Sequence, residues 1–132
     1  MNSILYKACE NFAKSLSTDI KRCKSGDIKG YVGRISVTGD KNYDFYVVIP
    51  REKLEMVSEI FFGDKDEYDL EDMTKEITNL IIGNSKVIAG EQNIDFEIST
   101  PEFLGEYNGI DFDDFICLES GGVKFFILYK EK

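Results

Sequence analysis

The sequence predicts a single α+β domain, built as a mainly antiparallel sheet with two helices packed on it and a further helix at the N-terminus. Three observations carry that expectation. The chain has 132 residues, the size of one domain and not two. Its apolar residues alternate at a period of two in five short segments and recur every three to four residues in three others. Turn-forming residues join neighbouring strand-like segments directly, which is the pattern of hairpins. At 42% apolar and 31% charged residues, the composition is that of an ordinary globule.

Taken in order, residues 3–16 place Leu5, Ala8, Phe12 and Leu16 on one side, the spacing of an amphipathic helix with Ser3 as its N-cap. A polar, basic loop covers residues 18–30. Residues 31–38 and 43–49 are rich in Val, Ile and Tyr and flank Gly39-Asp40-Lys41-Asn42, so they form a hairpin. Tyr43, Phe45 and Tyr46 read as core and cross-strand packing. Pro50 opens a short helix with Leu54, Val57 and Phe61 on one face, and Gly63 closes it. An acidic loop over residues 64–68 leads to the longest periodic segment, from Leu70 to about Ala89. Asp69 is its N-cap, with Asp72 three residues on as a variant of the capping box. Ile94, Phe96 and Ile98 then alternate with Asp95, Glu97 and Ser99 until Pro101 ends the strand. Residues 115–119 and 123–129 flank Ser120-Gly121-Gly122, a second hairpin. The order is α-β-β-α-α-β-β-β. No repeat, low-complexity tract or long linker divides it, so residues 1–132 read as one domain.

The chain has no histidine, which removes Ser-His-Asp and Cys-His nucleophile pairs, HExxH sites and Cys/His zinc fingers. Cys9, Cys23 and Cys117 are odd in number and far apart, and they read as buried thiols of a reducing compartment. There is no cleavable signal and no 18-residue apolar run, so a cytoplasmic protein without a membrane partner is expected. The net charge of −9 is uneven. Residues 1–53 carry 10 basic and 6 acidic groups, a net of +4, while residues 54–132 carry 6 and 19, a net of −13. Nucleic acid is a poor partner for such a chain. A basic protein partner and a merely solvated acidic surface both fit. Asp111, Asp113 and Asp114 lack the rest of a calcium loop and read as a solvated turn, so no metal is expected in this chain.

The helix from Leu70 carries the site. Leu70, Met73, Ile77, Leu80, Ile81 and Ile88 form a broad apolar stripe that faces the sheet. Asp72, Glu76, Asn79 and Gly83, spaced four, three and four, form a second and narrower stripe beside it. One reading makes Glu76 and Asn79 the solvated flank of an amphipathic helix. The other makes them a functional surface, because Asn is a poor mid-helix residue and Gly83 costs about 1 kcal/mol relative to Ala. Thr78 and Lys75 read as exposed neighbours. Ile82 falls on the polar side, either as a protein contact or as scatter.

The run from Asp72 to Asn84 resembles the signature helix of the CheC/CheX/FliY family of chemotaxis phosphatases. That pattern is Asp or Ser, three residues, Glu, two residues, Asn, then glycine four further on; Asp72, Glu76, Asn79 and Gly83 match it. The element order over residues 31–129 is similar to that of CheX, Pro101 lies about where the family carries a proline, and residues 1–30 match weakly. One copy of the motif places the chain nearer CheX than CheC. The resemblance implies a CheX-like fold and hydrolysis of the aspartyl phosphate of a CheY-like response regulator in chemotaxis or flagellar signalling. It implies Glu76 and Asn79 as the catalytic pair, with Glu76 on a receiver lysine, and Mg²⁺ held by the receiver and not by this chain. It implies a homodimer as well. Asp72 either stabilises the helix N-terminus or meets the partner, and Gly83 either admits the receiver backbone or packs on the sheet. The competing reading is a non-catalytic CheX-like module that binds a receiver or a flagellar switch protein.

Overall fold

A computed structural model describes residues 1–24, 26–66 and 68–132. Ser25 of the predicted basic loop and Glu67 of the predicted acidic loop lie outside the described residues. The helices are α1 (Asn2–Ser15), α2 (Arg51–Phe62) and α3 (Leu70–Glu91). The strands are β1 (Ile20–Cys23), β2 (Tyr31–Gly39), β3 (Tyr43–Ile49), β4 (Phe96–Ile98), β5 (Glu102–Glu106), β6 (Asp114–Ser120) and β7 (Val123–Glu131). They form one antiparallel sheet in the order β1-β6-β7-β3-β2-β4, and β5 pairs with the other half of the same β2 edge.

Period-two alternation divides the sheet into two faces. Ile35, Val37, Phe45, Val47, Leu118, Phe125 and Ile127 point toward the helices and form the main core with Leu5, Ala8, Phe12, Leu54, Val57, Ile77 and Ile81. Val32, Val48, Cys117, Phe126 and Leu128 point the other way, and Ile28, Tyr107, Ile110 and Phe112 of the flanking loops cover them. The Phe45 ring lies 5.6 Å from that of Tyr129, its cross-strand partner. The α+β architecture and both hairpins are as the sequence predicts.

Several elements differ. The predicted loop at residues 18–30 contains β1, which pairs with β6. Residues 102–106 add β5, whose alternating exposed positions carry no clear apolar period. Met1, not Ser3, stands at the N-cap of α1. Ile94 lies outside β4 and is exposed. Pro50 and Gly63 cap α2 as expected, Gly63 with a left-handed φ of 76°, yet Phe61 is exposed and not in the core. Lys53, in the first turn of α2, is buried, with Nζ donating to Ser120 O at 3.3 Å and lying 5.6 Å from the Phe125 ring centroid. Cys23 and Cys117, expected as free thiols, are cross-strand partners in β1 and β6 and form a disulfide. Cys9 is a buried thiol.

The candidate site on helix α3

Helix α3 begins where Asp69 caps it, its carboxylate accepting from Asp72 N at 3.0 Å. Glu71 and Asp72 lie in the first turn, where the helix dipole favours carboxylates. The helix is rotated from the stripe that its apolar residues predict. Leu80 is exposed, whereas Thr78 and Ile82 are fully buried. Two contacts set this rotation. Thr78 stands over Gly33 of β2, where the sheet has no side chain, and α1 packs along the flank that contains Ile82. Asn11 Nδ2 donates to Asn84 Oδ1 at 2.8 Å and ties the two helices together. The buried hydroxyls are satisfied within the helix, Thr74 Oγ1 donating to Leu70 O and Thr78 Oγ1 to Thr74 O.

With Ile77 and Thr78 turned inward, the residues on either side of them, Glu76 and Asn79, point away from the sheet. Asp72, Glu76 and Asn79 are all exposed. Three residues apart on a helix, Glu76 and Asn79 have Cβ atoms roughly 5–6 Å from each other. Beside them is an open cleft of about 400 Å³, lined by Asp72, Lys75, Glu76, Asn79, Thr100 and Pro101. The second wall is therefore the link between β4 and β5. Nothing local in the sequence connects Thr100 to α3, whereas Pro101 both ends the strand and lies about where the family carries a proline.

Lys75 reaches back to Glu71, with Nζ 3.6 Å from its carboxylate. Among the described residues no cation pairs with Asp72 or Glu76. A Cβ at Gly83 would meet nothing within 4 Å, so this glycine is not required for packing. It leaves the helix backbone open one turn beyond Asn79. An ionised Glu76 can only accept hydrogen bonds, while the Asn79 amide can both donate and accept. Such a pair can orient a water molecule and grip a cationic group. Among the described residues no three His, Cys, Asp or Glu side chains converge to hold a metal ion.

The fold and the site together define a sheet-backed domain that displays a carboxylate–carboxamide helix beside a shallow cleft. The family model for the chemotaxis phosphatase CheX matches residues 31–111, and the chain belongs to that family. Its fold is shared with the chemotaxis protein CheX from Vibrio vulnificus, at 20% identity and a TM-score of 0.81, over 98% of this chain and 97% of that one. It is also similar to CheX from Desulfovibrio desulfuricans, at 16% identity and a TM-score of 0.75, over 98% and 97% of the two chains. A third match is a CheX–CheY–BeF3–Mg²⁺ complex from Borrelia burgdorferi, at 16% identity and a TM-score of 0.74, over 98% and 96%. The structural likeness thus includes the N-terminal residues that match the family only weakly in sequence. No curated protein sequence matches the chain.

Proposed function

We propose that this chain accelerates dephosphorylation of a phospho-aspartyl, CheY-like receiver in chemotaxis or flagellar signalling, with Glu76 and Asn79 as the acting pair. The observation that carries this reading is the exposure of both side chains on one face of α3, beside a cleft, in a member of the CheX phosphatase family. Water attacks phosphorus in line, the bond between phosphorus and the receiver's aspartyl oxygen breaks, and inorganic phosphate leaves. The Asn79 amide accepts from the attacking water and holds it on that line. The receiver supplies the phosphorylated Asp and Mg²⁺, and the metal neutralises charge on the transferring group. Glu76 pairs with a lysine of the receiver and fixes the register of α3 on the partner.

Two features support a macromolecular substrate. The cleft is shallow and open, and a CheX of the same fold has been crystallised with CheY. Gly83 admits the receiver backbone close to α3, since its α-carbon faces open space. Asp72 both strengthens the helix start and extends the acidic edge toward the partner. With such a partner the chain works in the cytoplasm. It pairs as a homodimer through free strand edges at β1 or at β4 and β5, and light scattering at tens of micromolar checks that mass.

The deciding experiment phosphorylates the CheY-like receivers of the source organism and follows loss of phosphate with and without this protein. Faster loss for one receiver is the expected result. Unchanged decay for every receiver, together with tight binding to one of them, would make the chain a scaffold.

A further inference from the structure

A second concavity of about 440 Å³ lies on the other side of Asp72 and Glu76 from Asn79. Its apolar wall is Phe61, Phe62 and Met73, and its rim is Tyr68, Asp69, Asp72 and Glu76. The two phenyl rings sit edge to face with centroids 6.5 Å apart, and they are 44% and 59% exposed. They close a helix that buries Leu54 and Val57 completely but leaves Ile60, beside them, 44% exposed as well. Their position is fixed at the end of α2. Gly63 caps the helix, and Ser58 Oγ donates to Asp64 O at 2.7 Å, turning the chain away behind them. Two adjacent exposed phenylalanines facing a hollow form an apolar surface without an intramolecular cover.

We propose that this groove is a docking subsite for the receiver, which inserts an apolar side chain flanked by lysine or arginine; the proposal rests on the phosphatase reading above. Charge selects the occupant. Apart from Tyr68 the rim is carboxylate, and among the described residues none of Asp69, Asp72 and Glu76 is in a salt bridge with a cation. A basic, partly apolar surface satisfies both wall and rim, and the long stems of Lys and Arg can lie along the rings. A second copy of this chain would instead bring a net charge of −9 to an acidic rim. Continuity gives the same answer. Asp72 and Glu76 line both this groove and the cleft that holds Asn79, so a receiver seated at Asn79 also lies over Phe61 and Phe62. The groove then sets which receiver is bound, while Asn79 sets how fast it is hydrolysed.

The test is Phe61→Ser with Phe62→Ser, and separately Phe62→Lys, a single exposed change that leaves folding intact and opposes a basic occupant. Binding of the BeF3-activated receiver is titrated, kcat is measured on the phosphorylated receiver, and mass is followed by light scattering. Each variant should weaken binding on the order of tenfold or more and raise KM with it, with kcat within about twofold of the parent. Unchanged binding in both variants would overturn the groove while leaving the phosphatase reading intact. A parent that binds the receiver through the two rings yet hydrolyses nothing would keep the groove and overturn the phosphatase reading. A parent that binds no receiver would overturn both, and loss of a dimer in either variant would assign the groove to a second copy and overturn the proposal.

Discussion

Thr78 stands directly over Gly33: a side-chain carbon at Gly33 would lie 2.0 Å from Thr78 Oγ1 and 2.8 Å from its Cβ. The bare position in β2 lets α3 settle close to the sheet with a short polar residue inward. Glu76 and Asn79 face outward as a consequence, since a rotation by one position would exchange which residues are buried. Neither atom of Thr78 can yield easily. Its hydroxyl is bonded to Thr74 O at 2.7 Å and its Cβ is fixed to the helix backbone.

Gly33→Ala should therefore destabilise the protein by roughly 1–3 kcal/mol, the usual cost of inserting a methyl group into a filled interior. A urea titration measures it as a lower midpoint at unchanged slope. A midpoint equal to the parent's would mean that α3 rides higher on the sheet than the contact requires.

The contact at Gly33 also marks where the sequence stops being legible. The start of α3 was readable because Asp69 and Asp72 act within one turn of each other, and both hairpins were readable because the turn residues lie between the strands they join. The rotation of α3 was not. Leu80 is exposed and Ile82 buried because Gly33 and α1 contact the helix, and neither is near it in the chain. Glu76 and Asn79 are exposed in either rotation because they lie near the centre of the outward face. The edge strands β1 and β5 carry too few buried residues to show a period, and Phe61 fitted the face of α2 while sitting beyond the end of the core. Thr100 reaches the site only through the sheet.

Lys53 gives a pH dependence with a definite sign. Burial holds its ammonium well below the usual lysine range, at about 8, with the nearby Cys9 acting weakly in the opposite direction. The unfolded chain keeps that proton up to about pH 10.4. Between these values the unfolded state binds more protons, so the term destabilises the fold fully below pH 8 and is relieved as pH rises toward 10. Lys53→Met removes the buried cation at similar volume. It should stabilise the protein at pH 7 by on the order of 1–3 kcal/mol, after the hydrogen bond to Ser120 is lost. The difference from the parent should shrink between pH 8 and pH 10. Denaturant titrations at three pH values check it, and a constant difference would contradict the assignment.

The Cys23–Cys117 disulfide joins residues 94 apart in sequence and fastens the edge strand β1 to β6. Closing a loop of that length restricts the unfolded chain by about 4.7 kcal/mol in the chain-entropy model. Calorimetry with dithiothreitol should lower the unfolding midpoint of the oxidised protein by on the order of 10 °C. Cys23→Ser should match the reduced parent and ignore the reductant. Cys9 should stay unlabelled by thiol reagents in the native state, because burial removes solvent access and pushes its pKa up.

The proposed mechanism separates Asn79 from Glu76. Asn79→Ala improves helix propensity and removes no packing, since the side chain is exposed, so folding is preserved. It deletes the amide that holds the attacking water. The rate of receiver dephosphorylation should fall on the order of 10² to 10⁴, with receiver affinity within a few-fold of the parent. Glu76→Ala deletes a charge-assisted contact instead, so affinity should fall first, and the remaining activity should recover as receiver concentration is raised. Single-turnover measurements at saturating protein distinguish the two, because saturation rescues a binding defect and leaves a defect in water positioning in place. If Asn79→Ala dephosphorylates the receiver as fast as the parent, water is positioned by another group, and Thr100 on the opposite wall of the cleft is the first to substitute.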